Sequence, residues 1–337
     1  MRKVLLVLAV ICVAAFASDP RLDVLGGDAR LLVNDYLEIW AFPGLISDYN
    51  FVTGSSQTAA VGDGWFGIVD EFGGNTYGVS VNHNGYEHEV LYSPGDWGVI
   101  FSMDFNKFPE DSTTVKETEI GVAFGTDVPI FSNYSDFAVE VVYDKEAVSE
   151  QDTIDTSLTN LSFGATLRGH SDGFLNLFPI ISAGMEKTTD ETVVDVSLQT
   201  TDIMFDFGGG HNKKVADKTN LVLGVFGGVR SLSYGGDHED VDSDMWITVP
   251  EISGGVEQEI GKWLVFRAGA VSETIYYSKG DFNNFGTAYT TNFGIGMHWD
   301  NFMMDATISE GFLHNGPYMV GGNANGFMGS LAATYNF

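Results

Sequence analysis

From about residue 50 to the end of the chain, apolar and polar residues alternate with a period of two, the repeat of a β-strand whose successive side chains point to opposite faces. Trp97, Val99, Phe101, Met103 and Phe105 stand against Asp96, Gly98, Ile100, Ser102 and Asp104. The same order returns with Ile120, Val122 and Phe124 against Glu119, Gly121 and Ala123, and with Phe137, Val139, Val141 and Tyr143 against Asp136, Ala138, Glu140 and Asp144. Leu161, Phe163, Ala165 and Leu167 oppose Asn160, Ser162, Gly164, Thr166 and Arg168, and Phe293, Ile295, Met297 and Trp299 oppose Gly294, Gly296, His298 and Asp300. About fourteen such segments can be marked, many about ten residues long, the length that crosses a bilayer as a tilted strand. Clusters such as Gly73-Gly74-Asn75 and Asn283-Asn284 separate them as hairpin turns.

A soluble antiparallel sandwich and a membrane barrel both produce this alternation. Segment length and number favour the barrel, because sandwich strands run about five or six residues. Several segments also begin or end in Trp, Tyr or Phe, the residues of the bilayer interfaces. The expectation is an all-β, antiparallel up-and-down transmembrane β-barrel of about 14 strands (12–16). A short or irregular pair around residues 50 to 70 could shift the count by two.

Residues 18–49 show no period of two. Asp28 can cap a helix running from Ala29 to Trp40, ended by Phe42-Pro43-Gly44 because the residue before proline disfavours helical geometry. A short helix ahead of a barrel belongs inside it or beneath it. Here Gly26-Gly27-Asp28-Ala29, Asn34-Asp35 and Trp40-Ala41-Phe42-Pro43-Gly44-Leu45 resemble the opening of the long-chain fatty-acid channel (FadL-type) family of porin-like outer-membrane proteins, with Phe42 where that family has Asn. The resemblance covers about twenty-five residues. It implies a barrel of about fourteen strands, an N-terminal plug that includes Asp35, Trp40 and Pro43, and permeation of apolar or small solutes.

The first residues read as a secretory signal. Met1-Arg2-Lys3 is basic, Val4 to Phe16 is apolar, and Ala15-Phe16-Ala17 has the small-x-small form of a cleavage site. The expected parts are a signal peptide at 1–17, a helical plug segment at 18–49 and a barrel at 50–337. The one cysteine, Cys12, falls in the first part, so the mature chain offers no disulfide and no thiol chemistry. At the other end, a strand closing on Phe337 with Tyr335, Ala333 and Leu331 on one face resembles the sorting signal read by the barrel assembly machinery. The expected location is the cell outer membrane, with the lipid bilayer and lipopolysaccharide as surroundings.

With 46 acidic and 16 basic residues the chain carries a formal charge of −30, which excludes an ordinary nucleic-acid reader. At 44% hydrophobic and 13% aromatic it is too apolar to be a disordered acidic chain. The alternation assigns Asp104, Glu117, Glu119, Glu140, Asp195, Asp300 and Asp305 to the lumen, with Arg168, Arg230 and His298 as a cationic minority. A pore lined mainly by one sign of charge concentrates counter-ions, so cation preference is expected.

Asp237-His238-Glu239-Asp240-Val241-Asp242-Ser243-Asp244 is dense in hard oxygen ligands but lacks the spacing of a calcium loop, and reads as a solvated loop. His83 and His88 are five apart, outside the helical register of a zinc protease motif, and no Gly-x-Ser-x-Gly elbow or P-loop occurs. No catalytic residue, metal or cofactor is expected. The leading reading is a channel for small or apolar solutes. The alternatives are a structural or docking barrel acting through acidic loops, and a soluble secreted all-β binding protein.

Overall fold

A computed structural model describes residues 20–25, 27–57, 64–82, 88–110, 113–130, 135–150, 153–170, 178–192, 196–236, 241–308 and 328–337. The signal peptide expected at 1–17, the acidic residues 237–240, His83 and Asp195 lie outside them. Sixteen strands close into one antiparallel barrel. They are β1 (Phe51–Gln57), β2 (Gly64–Phe72), β3 (Asn75–Asn82), β4 (His88–Ser93), β5 (Trp97–Glu110), β6 (Thr113–Val128), β7 (Ser135–Glu150) and β8 (Thr153–Gly169). The second half comprises β9 (Phe178–Thr192), β10 (Val196–Ala216), β11 (Thr219–Gly236), β12 (Asp244–Ile260), β13 (Leu264–Lys279), β14 (Phe282–Trp299), β15 (Phe302–Ile308) and β16 (Met328–Asn336). The ring closes between β1 and β16, with Phe51 opposite Asn336 and Gln57 opposite Ser330. Closure leaves no unpaired edge.

The count is sixteen where the sequence and the fatty-acid-channel resemblance suggest about fourteen. The pair β1 and β2 breaks the usual phase: Phe51 and Val69 are apolar yet face inward, where they join the plug's packed cluster. Leu91, Ile100, Ile180, Val222 and Phe226 on β4, β5, β9 and β11 also face inward onto the plug cluster, while the outward rows keep their apolar character. Phe101, Phe105, Ile120, Val122, Phe124, Val141, Tyr143, Leu161, Phe163, Met185, Ile203, Phe205, Val225, Ile252 and Phe266 are all exposed, and they lie on the outer face of the nine neighbouring strands β5 to β13. Bringing each such side chain out of water is worth about 1.5–3 kcal/mol, and soluble monomers rarely expose a contiguous apolar patch beyond a few hundred Å². Strands β5 to β14 run 14 to 21 residues. That exceeds the roughly 9–11 residues that span hydrocarbon, so the wall continues past the apolar belt.

The N-terminal segment sits inside the barrel, at the end that holds the hairpins Gly73-Gly74, Asp217-Lys218 and Asp300-Asn301; this is called the near end below. The helix predicted from Ala29 to Trp40 does not form. Asp28 caps only a 3-10 turn at Ala29–Leu31, and Asn34 turns the chain with φ 59. A four-residue helix follows at Glu38–Ala41, then a 3-10 stretch at Pro43–Asp48. The Glu38 carboxylate accepts the backbone N–H groups of Asn34 and Asp35 at 3.0 and 3.3 Å, replacing the helical bonds they forgo.

Leu31, Ile39 and Ile46 are fully buried between this segment and the wall. Tyr36 and Trp40 pack on Phe51 at centroid distances of 4.9 and 6.3 Å, and Trp40 meets Trp65 edge-on at 5.1 Å. Glycines on the inner wall make room for the plug backbone. A Cβ on Gly98 of β5 would strike the Pro43 carbonyl, and one on Gly269 of β13 would strike that of Val24.

Candidate functional site: a plugged and acid-lined barrel interior

Beside single bonds such as that from Arg30 Nη1 to Ser182 Oγ of β9 at 2.7 Å, three polar clusters anchor the plug to the wall. The first centres on Arg168 of β8, which is 1% exposed. Its Nε donates to Asp136 Oδ2 at 2.7 Å, its Nη2 pairs with Glu38 Oε2 at 2.6 Å, and its Nη1 donates to the Leu32 carbonyl. The guanidinium lies 4.3 Å from the centre of the Phe42 ring, a cation–π contact. His170 Nε2 is 2.7 Å from the same Asp136 oxygen. Tyr49 donates its hydroxyl to Glu38 at 2.5 Å. Burial, and then the Glu38 charge, push the Tyr49 phenol well above its ordinary range, so it stays a donor. One buried cation thus bridges a plug carboxylate and a wall carboxylate.

The second anchor joins Arg21 to Asp35 and, at 3.1 Å, to Glu257 of β12. Arg267 of β13 reaches Glu257 at 2.6 Å and Asp305 of β15 at 2.5 Å. Its Nη2 is 3.3 Å from His298 Nε2; a guanidinium can only donate, so that ring nitrogen accepts. In the third anchor, Trp40 Nε1 donates to Glu89 Oε2 at 2.9 Å, and Ser80 donates to the same oxygen. These groups border a cavity of about 260 Å³ whose other walls include Leu22, Leu37 and Trp65.

Toward the far end the inner wall turns acidic. Asp104 of β5 lies directly opposite Glu119 of β6, Glu119 opposite Asp144 of β7, and Asp144 opposite Asn160 of β8. The next inward row runs Asn106, Glu117 and Glu146. Asn106 Nδ2 bonds Asp104 at 2.8 Å and Glu117 at 3.4 Å, while Asn160 Nδ2 bonds Asp144 at 3.2 Å. Among the described residues, no cation pairs with Asp104, Glu117, Glu119, Glu140 or Asp144. Like charges directly opposite on neighbouring strands repel. Glu140 is exposed on the same face, and a side chain added at its cross-strand neighbour Gly164 would meet nothing within 4 Å.

The residues assigned to the lumen therefore divide. Asp104, Glu117, Glu119 and Glu140 share one wall of this vestibule. Arg230 faces the interior farther round, 2.5 Å from Asp202 and 5.3 Å from the Trp246 ring centre. Arg168, His298 and Asp305 are held in the plug anchors. Asp300 is a correction: β14 ends at Trp299, and Asp300 is an exposed turn residue with φ 53, so it does not line the lumen.

Of the plug residues, Asp35 pairs with Arg21, Trp40 with Glu89, and Pro43 abuts Gly98. Tyr335 and Phe337 have ring centres 5.7 Å apart, and the Phe337 N–H donates to the Asn50 carbonyl at 2.9 Å. Sequence reasoning missed Glu38, Glu89, Asp136, Glu257 and Arg267. The alternation phase alone places Arg267, beside outward Phe266, on the inner face; Glu38 carried no such signal. Among the described residues, no group of three or more His, Cys, Asp or Glu is disposed to hold a metal ion.

No protein-family model matches the chain, and no curated protein matches it. Among solved structures it is similar to the siderophore receptor PirA from Pseudomonas aeruginosa, at 9% sequence identity and a TM-score of 0.31, over 85% of this chain and 79% of that one. A likeness of this order assigns neither an activity nor a ligand to the present chain.

Proposed function

We propose that this chain is an outer-membrane barrel through which small cations and other small solutes pass, with the N-terminal plug narrowing the near end. The exposed apolar belt supports a membrane location, since those rows have no partner within the barrel. The observation that carries the permeation reading is the unpaired row Asp104–Glu119–Asp144 on the inner wall. A lumen lined by one sign of charge admits the opposite sign. The sixteen strands differ from the fourteen of the fatty-acid-channel resemblance, and we retain from it only the plug, beside which this chain has an apolar cavity bounded by Leu22, Leu37, Trp40 and Trp65.

Planar-bilayer recording under a potassium chloride gradient tests this reading. The chain is expected to give a reversal potential of the cation-selective sign, and Glu119→Arg to move it at least partway toward zero. Anion preference in the unmodified chain, or a reversal potential indifferent to Glu119→Arg, contradicts it. The close packing of the plug favours a second reading, a docking barrel that meets partners through its far-end acidic loops. That reading expects no conductance even when the plug is loosened.

A further inference from the structure

Four lysines of this acidic chain gather on one stretch of the outer wall. Lys107 of β5, Lys116 of β6, Lys145 of β7 and Lys187 of β9 are all exposed. Each continues an outward apolar row at its far end: Lys107 follows Phe105, Lys145 follows Tyr143, Lys187 follows Met185, and Lys116 lies beyond Ile120 and Thr118. Outward positions beyond them are small or polar, as at Ala147, Ser157 and Thr189. The lysines therefore mark the edge of the apolar belt.

They also lie near one height. The cross-strand row through Lys187 runs by Leu161, Tyr143 and Ile120 to Met103, four residues short of Lys107. Strands tilted about 40° and spaced about 4.8 Å shift a level line by roughly one residue per strand, or about four to five over these four steps. The direction agrees as well. The row through Trp97, the first residue of β5, reaches Phe207, and β10 continues nine residues past it toward the near end, to Ala216.

None of the four makes an ion pair among the described residues. Lys107 and Lys116 stand directly opposite each other on neighbouring strands, a repulsive arrangement unless an anion lies between them. Long lysine side chains at the edge of a belt extend toward the headgroup layer. The far end carries the longest connection, nineteen residues between Ile308 and Met328, as expected of the outer face of such barrels.

We infer that these lysines form a binding site for lipopolysaccharide in the outer leaflet. Lys107 and Lys116 hold one phosphate of its lipid anchor, and Lys145 and Lys187 a second. Charge complementarity and the spread over five strands, about 19 Å, suit one lipid bearing two separated phosphates better than a single-phosphate headgroup. The inference rests on the outer-membrane reading above but not on conduction.

The test uses the full mature chain in detergent, with native mass spectrometry titrating bisphosphorylated lipid A, its dephosphorylated form and phosphatidylglycerol. Bisphosphorylated lipid A is expected to bind the unmodified chain, and the quadruple variant Lys107→Ala, Lys116→Ala, Lys145→Ala, Lys187→Ala to bind it at least about tenfold more weakly. The near-end variant Lys214→Ala, Lys218→Ala is expected to keep full binding. Heat-dependent gel mobility verifies that each variant is a folded barrel. If the quadruple variant does not fold, the pair Lys107→Ala, Lys116→Ala, expected to lose the larger part of the phosphate preference, decides the matter. Unchanged binding in the quadruple variant or the pair overturns the site, as does equal binding of the dephosphorylated lipid. Equal binding of phosphatidylglycerol overturns lipopolysaccharide as the occupant. A chain that is soluble without detergent removes the membrane reading itself, an outcome distinct from loss of lipid preference.

Discussion

Replacing Val122 with Arg is expected to destabilise the folded barrel by about 2–4 kcal/mol, while Glu119→Arg, three residues away on the same strand, folds as well as the parent. Val122 is 42% exposed on the outer face of β6, between Phe124 and Ile120 and opposite Phe101 and Val141. In hydrocarbon, a guanidinium there has no partner and lies too far from the headgroups for easy escape. Glu119 faces the vestibule between Asp104 and Asp144, where an added cation relieves repulsion. Reversible urea unfolding in lipid vesicles reads both values. Equal tolerance at the two sites contradicts the assignment of faces.

Arg168→Leu is expected to weaken plug docking by about 3–5 kcal/mol, the usual cost of removing one partner from a buried ion pair. Glu38 and Asp136, 3% and 2% exposed, then face each other without their shared cation, and the Leu32 carbonyl loses its donor. The barrel strands keep their ladders, so the loss falls on the plug. Backbone hydrogen exchange in residues 28–48 rises by orders of magnitude, and single-channel conductance increases. Arg168→Lys retains the charge but not the planar fork, and lies between parent and Leu variant. A plug as protected in Arg168→Leu as in the parent contradicts the anchoring role.

What was legible in the sequence was whatever points out of the barrel on one side and into its open interior on the other. The stretch from Phe101 to Phe105 reads directly because its inward residues Ser102 and Asp104 lie beyond the plug and its outward aromatics are exposed. Legibility fails where a third environment enters. Phe51 is apolar and inward because Tyr36 and Trp40 of the plug lie against it, so β1 lacks the expected phase and the strand count falls short by two. The plug itself misreads as one helix, since nothing local reveals that Asn34 reverses the chain or that Glu38 caps the N–H groups of Asn34 and Asp35. Among the lumen residues, alternation gives the face but not the partner. Glu119 and Arg168 look alike in the pattern, yet one stands in an unpaired acidic row and the other is locked to Glu38 and Asp136. Asp300 fails for a simpler reason: the period continues one residue beyond the end of the strand.

The central claim is that the outward apolar rows of this barrel touch lipid. Single cysteines placed along β6 at positions 119 to 124, in a chain whose one other cysteine, Cys12, is replaced by serine, carry a fluorophore whose quenching reports its surroundings. The account predicts strict alternation: brominated acyl chains quench labels at 120, 122 and 124, and aqueous iodide quenches those at 119, 121 and 123. Quenching by iodide at all six positions, with no effect of brominated lipid, contradicts it.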